Sequence, residues 1–94
     1  MEQLFKPSFL HFVKKQPKPL VLAIRDEVGK VVANPAIGEI KTGDLAGIRV
    51  HKFTFNRQQY LLAYLHEEDS ITFYMIGSHE NFYNELKRYR KAEK

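Results

Sequence analysis

A chain of 94 residues, 44% hydrophobic and 28% charged, has enough apolar surface for one modest core and too little for two, so a single domain over residues 1–94 is expected and disorder is excluded. The absence of cysteine rules out a disulfide framework, a thiolate nucleophile and a cysteine-based zinc site, while a net charge of +4 favours an anionic partner, either nucleic acid or an acidic protein segment. The N-terminal MEQLFKPSFLHF lacks the clean apolar run of a signal peptide and no stretch is long enough to span a bilayer, so a cytoplasmic chain without a membrane role is expected.

Gln3-Leu4-Phe5-Lys6 reads as a very short strand before Pro7, a residue suited to the first turn of a helix. Phe9, Leu10, Phe12 and Val13 then carry helical spacing until Pro17 and Pro19 interrupt, which ends the first helix near Gln16. The clearest element is a second helix from about Lys18 to Ala33. Leu20, Ile24, Val28 and Val32 recur every four residues, Val21 and Val31 widen the stripe, and Arg25, Asp26, Glu27 and Lys30 fill the other face. Gly29 costs this helix about 1 kcal/mol against alanine, so a close approach to a neighbouring element is expected there. Asn34-Pro35 ends the helix, and the segment from Ile37-Gly38 to Gly43-Asp44 reads as an irregular loop containing Lys41.

Three strands follow. Gly47–Phe55 alternates, with Ile48, Val50, Lys52 and Thr54 on one face and Arg49, His51, Phe53 and Phe55 on the other. Asn56-Arg57-Gln58 forms a turn. Gln59–His66 is almost continuously apolar, as a central strand covered on both sides should be, and Glu67–Ser70 turns again into Ile71–Ile76. Short polar connections make these an antiparallel meander. The strand is expected to stop at Gly77-Ser78 and pass at once into a basic helix headed by His79, with Ser78 as its N-cap. On that helix His79, Tyr83, Lys87 and Arg90 or Lys91 would share one face. The basic run continues to Lys94. Two helices, a three- to four-stranded and mainly antiparallel sheet and a C-terminal helix make an α+β domain.

In that order of elements, several segments together resemble the RelE/ParE superfamily of bacterial type II toxins, over nearly the whole chain. They are Phe9, Lys14-Lys15 and Pro19 in the helical pair; Asn34-Pro35 and Gly38; Gly43-Asp44-Leu45-Ala46-Gly47-Ile48-Arg49-Val50; Tyr60-Leu61-Leu62-Ala63-Tyr64; and Ile76-Gly77-Ser78-His79. KTGDLAGIRV is the most specific, because such toxins commonly carry a G-x-L-x-G-x-R run leading into the central strand. The fold hosts two activities. RelE-like members cut mRNA in the ribosomal A site, ParE-like members inhibit DNA gyrase, and a small antitoxin neutralises both.

The RelE-like branch implies a metal-independent endoribonuclease needing no cofactor. Cleavage through the RNA 2′-OH requires a base for the 2′ proton, cations or donors for the pentavalent phosphorane, and an acid for the leaving 5′ oxygen. Histidine suits either proton transfer, and arginine and lysine suit phosphate. The resemblance places a histidine at His79 with an aromatic, Tyr83, four residues later to stack on a base or donate a proton. His51 is the expected second member of the acid–base pair, with Arg49, Lys52 and Lys87 on phosphate, and Lys41, Arg57 and Arg90 as further nucleic-acid contacts. His11 and His66 receive no role. Many RelE-like toxins carry arginine where this chain has Leu61, so Arg49 or Lys87 is expected to supply the missing charge. The alternatives are a ParE-like inhibitor of gyrase without nuclease chemistry, for which a histidine pair has no use, and a degenerate toxin retained for antitoxin binding.

Overall fold

The computed structural model describes residues 1–93; Lys94, the last member of the basic run, lies outside the described residues. The expected α+β architecture is present. Strand β1 (Glu2–Phe5) leads into helices α1 (Pro7–Lys14) and α2 (Lys18–Ala33). Strands β2 (Glu39–Ile40), β3 (Ile48–Phe55), β4 (Gln58–His66) and β5 (Ser70–Ser78) follow, and helix α3 (Phe82–Ala92) closes the chain. The sheet has five strands in the order β1-β5-β4-β3-β2, one more than the upper expectation. The difference comes from the edges. β1 adds in parallel to β5, Glu2 opposite Ser70 through Phe5 opposite Phe73, and the two-residue β2 pairs with Val50 and Arg49 inside the segment expected to be only a loop.

Proline shapes both N-terminal helices. Pro7 starts α1, and Pro17 precedes α2 with an extended backbone while Pro19 sits in its first turn, where a missing N–H costs nothing. α2 buries Leu20, Ile24 and Val31 against the sheet as the stripe required. Gly29 differs from its expectation: it is exposed, and an added Cβ would have nothing within 4 Å. Glu27 differs too. It faces the sheet, with its side chain 14% exposed, where a solvent-facing position was expected.

The meander is set by tight connections. Asn56 (φ 53°) and Arg57 (φ 67°) join β3 to β4 as a two-residue hairpin with both residues left-handed, the geometry that matches strand twist. At Leu61–Tyr64, β4 is buried on both faces. A bulge where Ala63 pairs with Met75 but Tyr64 pairs with Phe73 leaves Tyr74 as the extra residue, so Tyr74 and Met75 both reach the α3 side. The sheet thus separates two cores. Under α1 and α2 lie Phe53, Leu62, Tyr64, Phe73 and Ile76; under α3 lie Ile48, Val50, Leu61, Ala63 and Tyr74, closed by Phe82 and Leu86. Among the described residues no helix is long and apolar enough to cross a membrane.

Candidate functional site

The expected juncture of β5 and α3 is displaced. β5 continues through Gly77 and Ser78 because Leu61 and Tyr60 of β4 supply partners for both. The helix begins at Phe82, with Asn81 (φ 60°) at the N-cap and no side-chain cap, so neither the Ser78 cap nor a helix headed by His79 is found. Packing does not demand glycine at Gly77: a Cβ would lie 3.6 Å from the Phe82 ring, an ordinary van der Waals contact with the side chain that seals the α3 core. His79 therefore sits in the exposed bend between strand and helix and cannot share a helical face with Lys87.

The bend still delivers His79 to Tyr83. Their ring centroids lie 6.2 Å apart, edge to face, and Tyr83 is half-buried on the α3 core. A third group arrives from the opposite edge of the sheet. The backbone N–H of Lys41 donates to the Ile48 carbonyl at 2.8 Å, extending the β2–β3 ladder by one step. Alternation then places Glu39 and Lys41 with Val50 and Ile48 on the α3 face. The Lys41 ammonium lies 5.1 Å from the Tyr83 ring centroid and is hydrogen-bonded to the Glu39 carboxylate. That carboxylate holds Lys41 above the usual lysine range, and the Tyr83 hydroxyl adds to the effect; burial opposes both. Glu39 in turn is held below the usual carboxylate range, first by its hydrogen bond from Lys41, with Lys52 contributing through space. Lys52 is exposed on this same face, opposite Leu61.

His51 and Arg49 are not part of this group. Both point to the α1–α2 side, as their alternation with Val50 and Lys52 predicts. His51 Nε2 is 2.7 Å from Glu27 Oε1 of α2, with the histidine side chain only 11% exposed. Arg49 Nη1 donates to the Gly38 carbonyl at 2.8 Å. The whole sheet therefore stands between His51 and His79, and the expected acid–base pair cannot meet on one phosphate. Arg49 belongs to a structural lock: the buried Tyr64 hydroxyl donates to the Pro35 carbonyl at 2.7 Å and accepts from the Gly38 N–H at 2.9 Å.

The remaining cations divide. Arg90 donates to the Tyr74 hydroxyl at 3.0 Å and lies 5.3 Å from that ring's centroid, a strut at the far end of α3 and not a free contact. Lys87 is exposed, four residues after Tyr83, and lines an open cleft of about 890 Å³ with Arg88, Lys91 and Asp44. Arg57 is exposed at the β3–β4 hairpin tip, the end of the sheet at which Tyr60 pairs with Ser78 and His79 emerges.

Glu39 and Glu27 are the partners that sequence reasoning missed. Glu27 carried a signal: it lies three residues after Ile24 and four before Val31, inside the apolar stripe, where a carboxylate requires a partner. Glu39 carried none, because a two-residue edge strand leaves no periodicity to read.

A family model described as a ParE-like toxin of a type II bacterial toxin–antitoxin system matches residues 4–87. The crystal structure of the isolated E. coli RelE toxin superposes with a TM-score of 0.64 at 16% identity, covering 93% of this chain and 96% of that one. A chain of the intact E. coli RelBE toxin–antitoxin complex superposes with a TM-score of 0.66 at 16% identity, covering 84% of this chain and 96% of that one. At that identity the likeness is one of fold. No curated protein matches the chain significantly in sequence.

Proposed function

We propose that this chain, which belongs to the ParE-like toxins of type II bacterial toxin–antitoxin systems, is an endoribonuclease acting at the α3 face of its sheet. The observation that carries this reading is that Tyr83 stands between two groups from separate segments, with the His79 ring centroid 6.2 Å and the Lys41 ammonium 5.1 Å from its own ring centroid. An exposed imidazole, a phenol and a fixed ammonium are the groups that cleavage through the 2′-OH uses. His79 takes the 2′ proton as the 2′ oxygen attacks phosphorus, and the Tyr83 hydroxyl protonates the leaving 5′ oxygen. The products are a 2′,3′-cyclic phosphate and a 5′-hydroxyl. Lys52 and Lys87, both exposed on the α3 side, hold the flanking phosphates. His51 and Arg49 take no part in the chemistry. The substrate class carried by the likeness to RelE-like toxins is mRNA on the ribosome. The E. coli fold relative was crystallised as a toxin–antitoxin complex, which supports a cognate antitoxin as the neutralising partner here.

Two observations favour a second reading, a toxin that binds DNA gyrase and cleaves nothing. Leu61 is fully buried where many RelE-like toxins carry arginine, and the histidine pair is split by the sheet. The two readings separate in one assay set. The purified chain, incubated with ribosomes programmed with mRNA, is expected to yield new 5′-hydroxyl ends and cyclic-phosphate 3′ ends without added metal. Intact mRNA together with inhibited supercoiling by gyrase would select the second reading.

A further inference from the structure

Cleavage through the 2′-OH places an extra negative charge on the phosphorane, and a cation must already stand beside it. The residues first expected to supply that charge do not. The fully buried Leu61 packs in the core beneath α3 with Phe82 and Leu86. Arg49 is turned to the other face and spent on the Gly38 carbonyl, and Arg90 is spent on Tyr74. Lys87 stands exposed one helical turn beyond Tyr83.

We infer that Lys41 is the cation that stabilises the phosphorane, in place of the arginine that Leu61 replaces. The inference rests on the RNA-cleavage reading above. Its ground is preorganisation. The Lys41 backbone is pinned to β3 through the Ile48 carbonyl at 2.8 Å, and its half-buried side chain is held between the Glu39 carboxylate and the face of Tyr83. A lysine fixed at both ends reorganises little when charge develops, unlike the solvated cations of α3. An ammonium also has three donors, so a hydrogen bond to Glu39 leaves others for a non-bridging phosphate oxygen. Glu39 and the Tyr83 hydroxyl raise Lys41 further above the already high lysine range, so near neutrality it supplies charge and does not shuttle a proton. Glu39 is the resting counter-ion, its own side chain 66% exposed to solvent.

The test compares wild type with Lys41→Met, Lys41→Arg and Glu39→Gln in single-turnover cleavage of ribosome-bound mRNA. Binding is read separately by anisotropy on a labelled RNA made uncleavable by 2′-deoxy substitution, and folding by thermal midpoint. Lys41→Met is expected to slow cleavage by ~10²- to 10³-fold with binding changed by less than about fivefold, because the lost contact forms in the transition state. Lys41→Arg keeps the charge and is expected to recover most of the rate, and Glu39→Gln to cleave at least as fast as wild type. Cleavage by Lys41→Met within about threefold of wild type, or a loss confined to binding, overturns the role of Lys41 while leaving the nuclease reading intact. A wild-type chain that cleaves no RNA overturns both.

Discussion

The His79→Ala variant is expected to lose RNA cleavage by ~10²- to 10⁴-fold, the range for removing a positioned acid or base, while its stability changes by less than about 0.5 kcal/mol. The two halves of that expectation come from different features. His79 is exposed in the bend after β5, outside both cores, so the fold does not depend on it. Its close ring neighbour among the described residues is Tyr83, which is anchored on the α3 core and edge-to-face with Phe82 at 5.5 Å. Tyr83→Phe keeps that ring packing and removes only the hydroxyl, so a comparable loss of rate is expected with the helix still in place. Cleavage-rate measurements beside thermal melts check both. A His79→Ala variant that cleaves normally would remove the imidazole from the mechanism.

The opposite outcome is expected for His51→Ala: cleavage at full rate per folded molecule, but a fold weakened by about 2 kcal/mol, the worth of a hydrogen bond to a charged group. For a domain of this size that is a fall in Tm of roughly 10 °C. The cause is the clamp between β3 and α2, in which Glu27 accepts from His51 at 2.7 Å and from Lys30 at 2.9 Å with little solvent around it. Removing the imidazole leaves a carboxylate facing the sheet with only Lys30 to satisfy it. Burial pushes the Glu27 carboxyl up, but the hydrogen bonds from His51 and Lys30 outweigh it and hold the group below the usual carboxylate range. A carboxylate depressed in the folded state gives stability that is present above its unfolded value and lost as pH falls through its folded value. The gap in Tm between wild type and His51→Ala is therefore expected to be full near neutrality and to shrink below the usual carboxylate range. A gap that stays constant on acidification would separate His51 from Glu27 energetically.

Much of the fold was legible because it is written in periodicities that local chemistry enforces. The bounds of α2 follow from a four-residue apolar repeat closed by Pro17 and by Asn34-Pro35, and β4 follows from an unbroken apolar run between two polar turns. Even the allocation of faces on β3 held, and it already contained the separation of His51 from Lys52. What the alternation could not show was which face α3 would cover, since that depends on the bulge at Tyr74 and on where the last strand ends. Gly77-Ser78 looks like a stop signal in isolation; in the sheet it is paired, because β4 is long enough to hold it. The candidate site was legible in part for the same reason. His79 and Tyr83 are close in sequence and were placed together, whereas Lys41 directly follows an edge strand of two residues, nearly half the chain away, which only the sheet order brings across to Tyr83.

That placement, a reactive face under α3 and a purely structural face under α2, is the central claim, and NMR mapping tests it most directly. The labelled chain titrated with a short single-stranded RNA made uncleavable by 2′-deoxy substitution is expected to shift the resonances of His79, Tyr83, Lys41 and Lys52 while leaving the His51 imidazole and Glu27 unmoved. Shifts centred on His51, Arg49 and Glu27, with the α3 face silent, would contradict it.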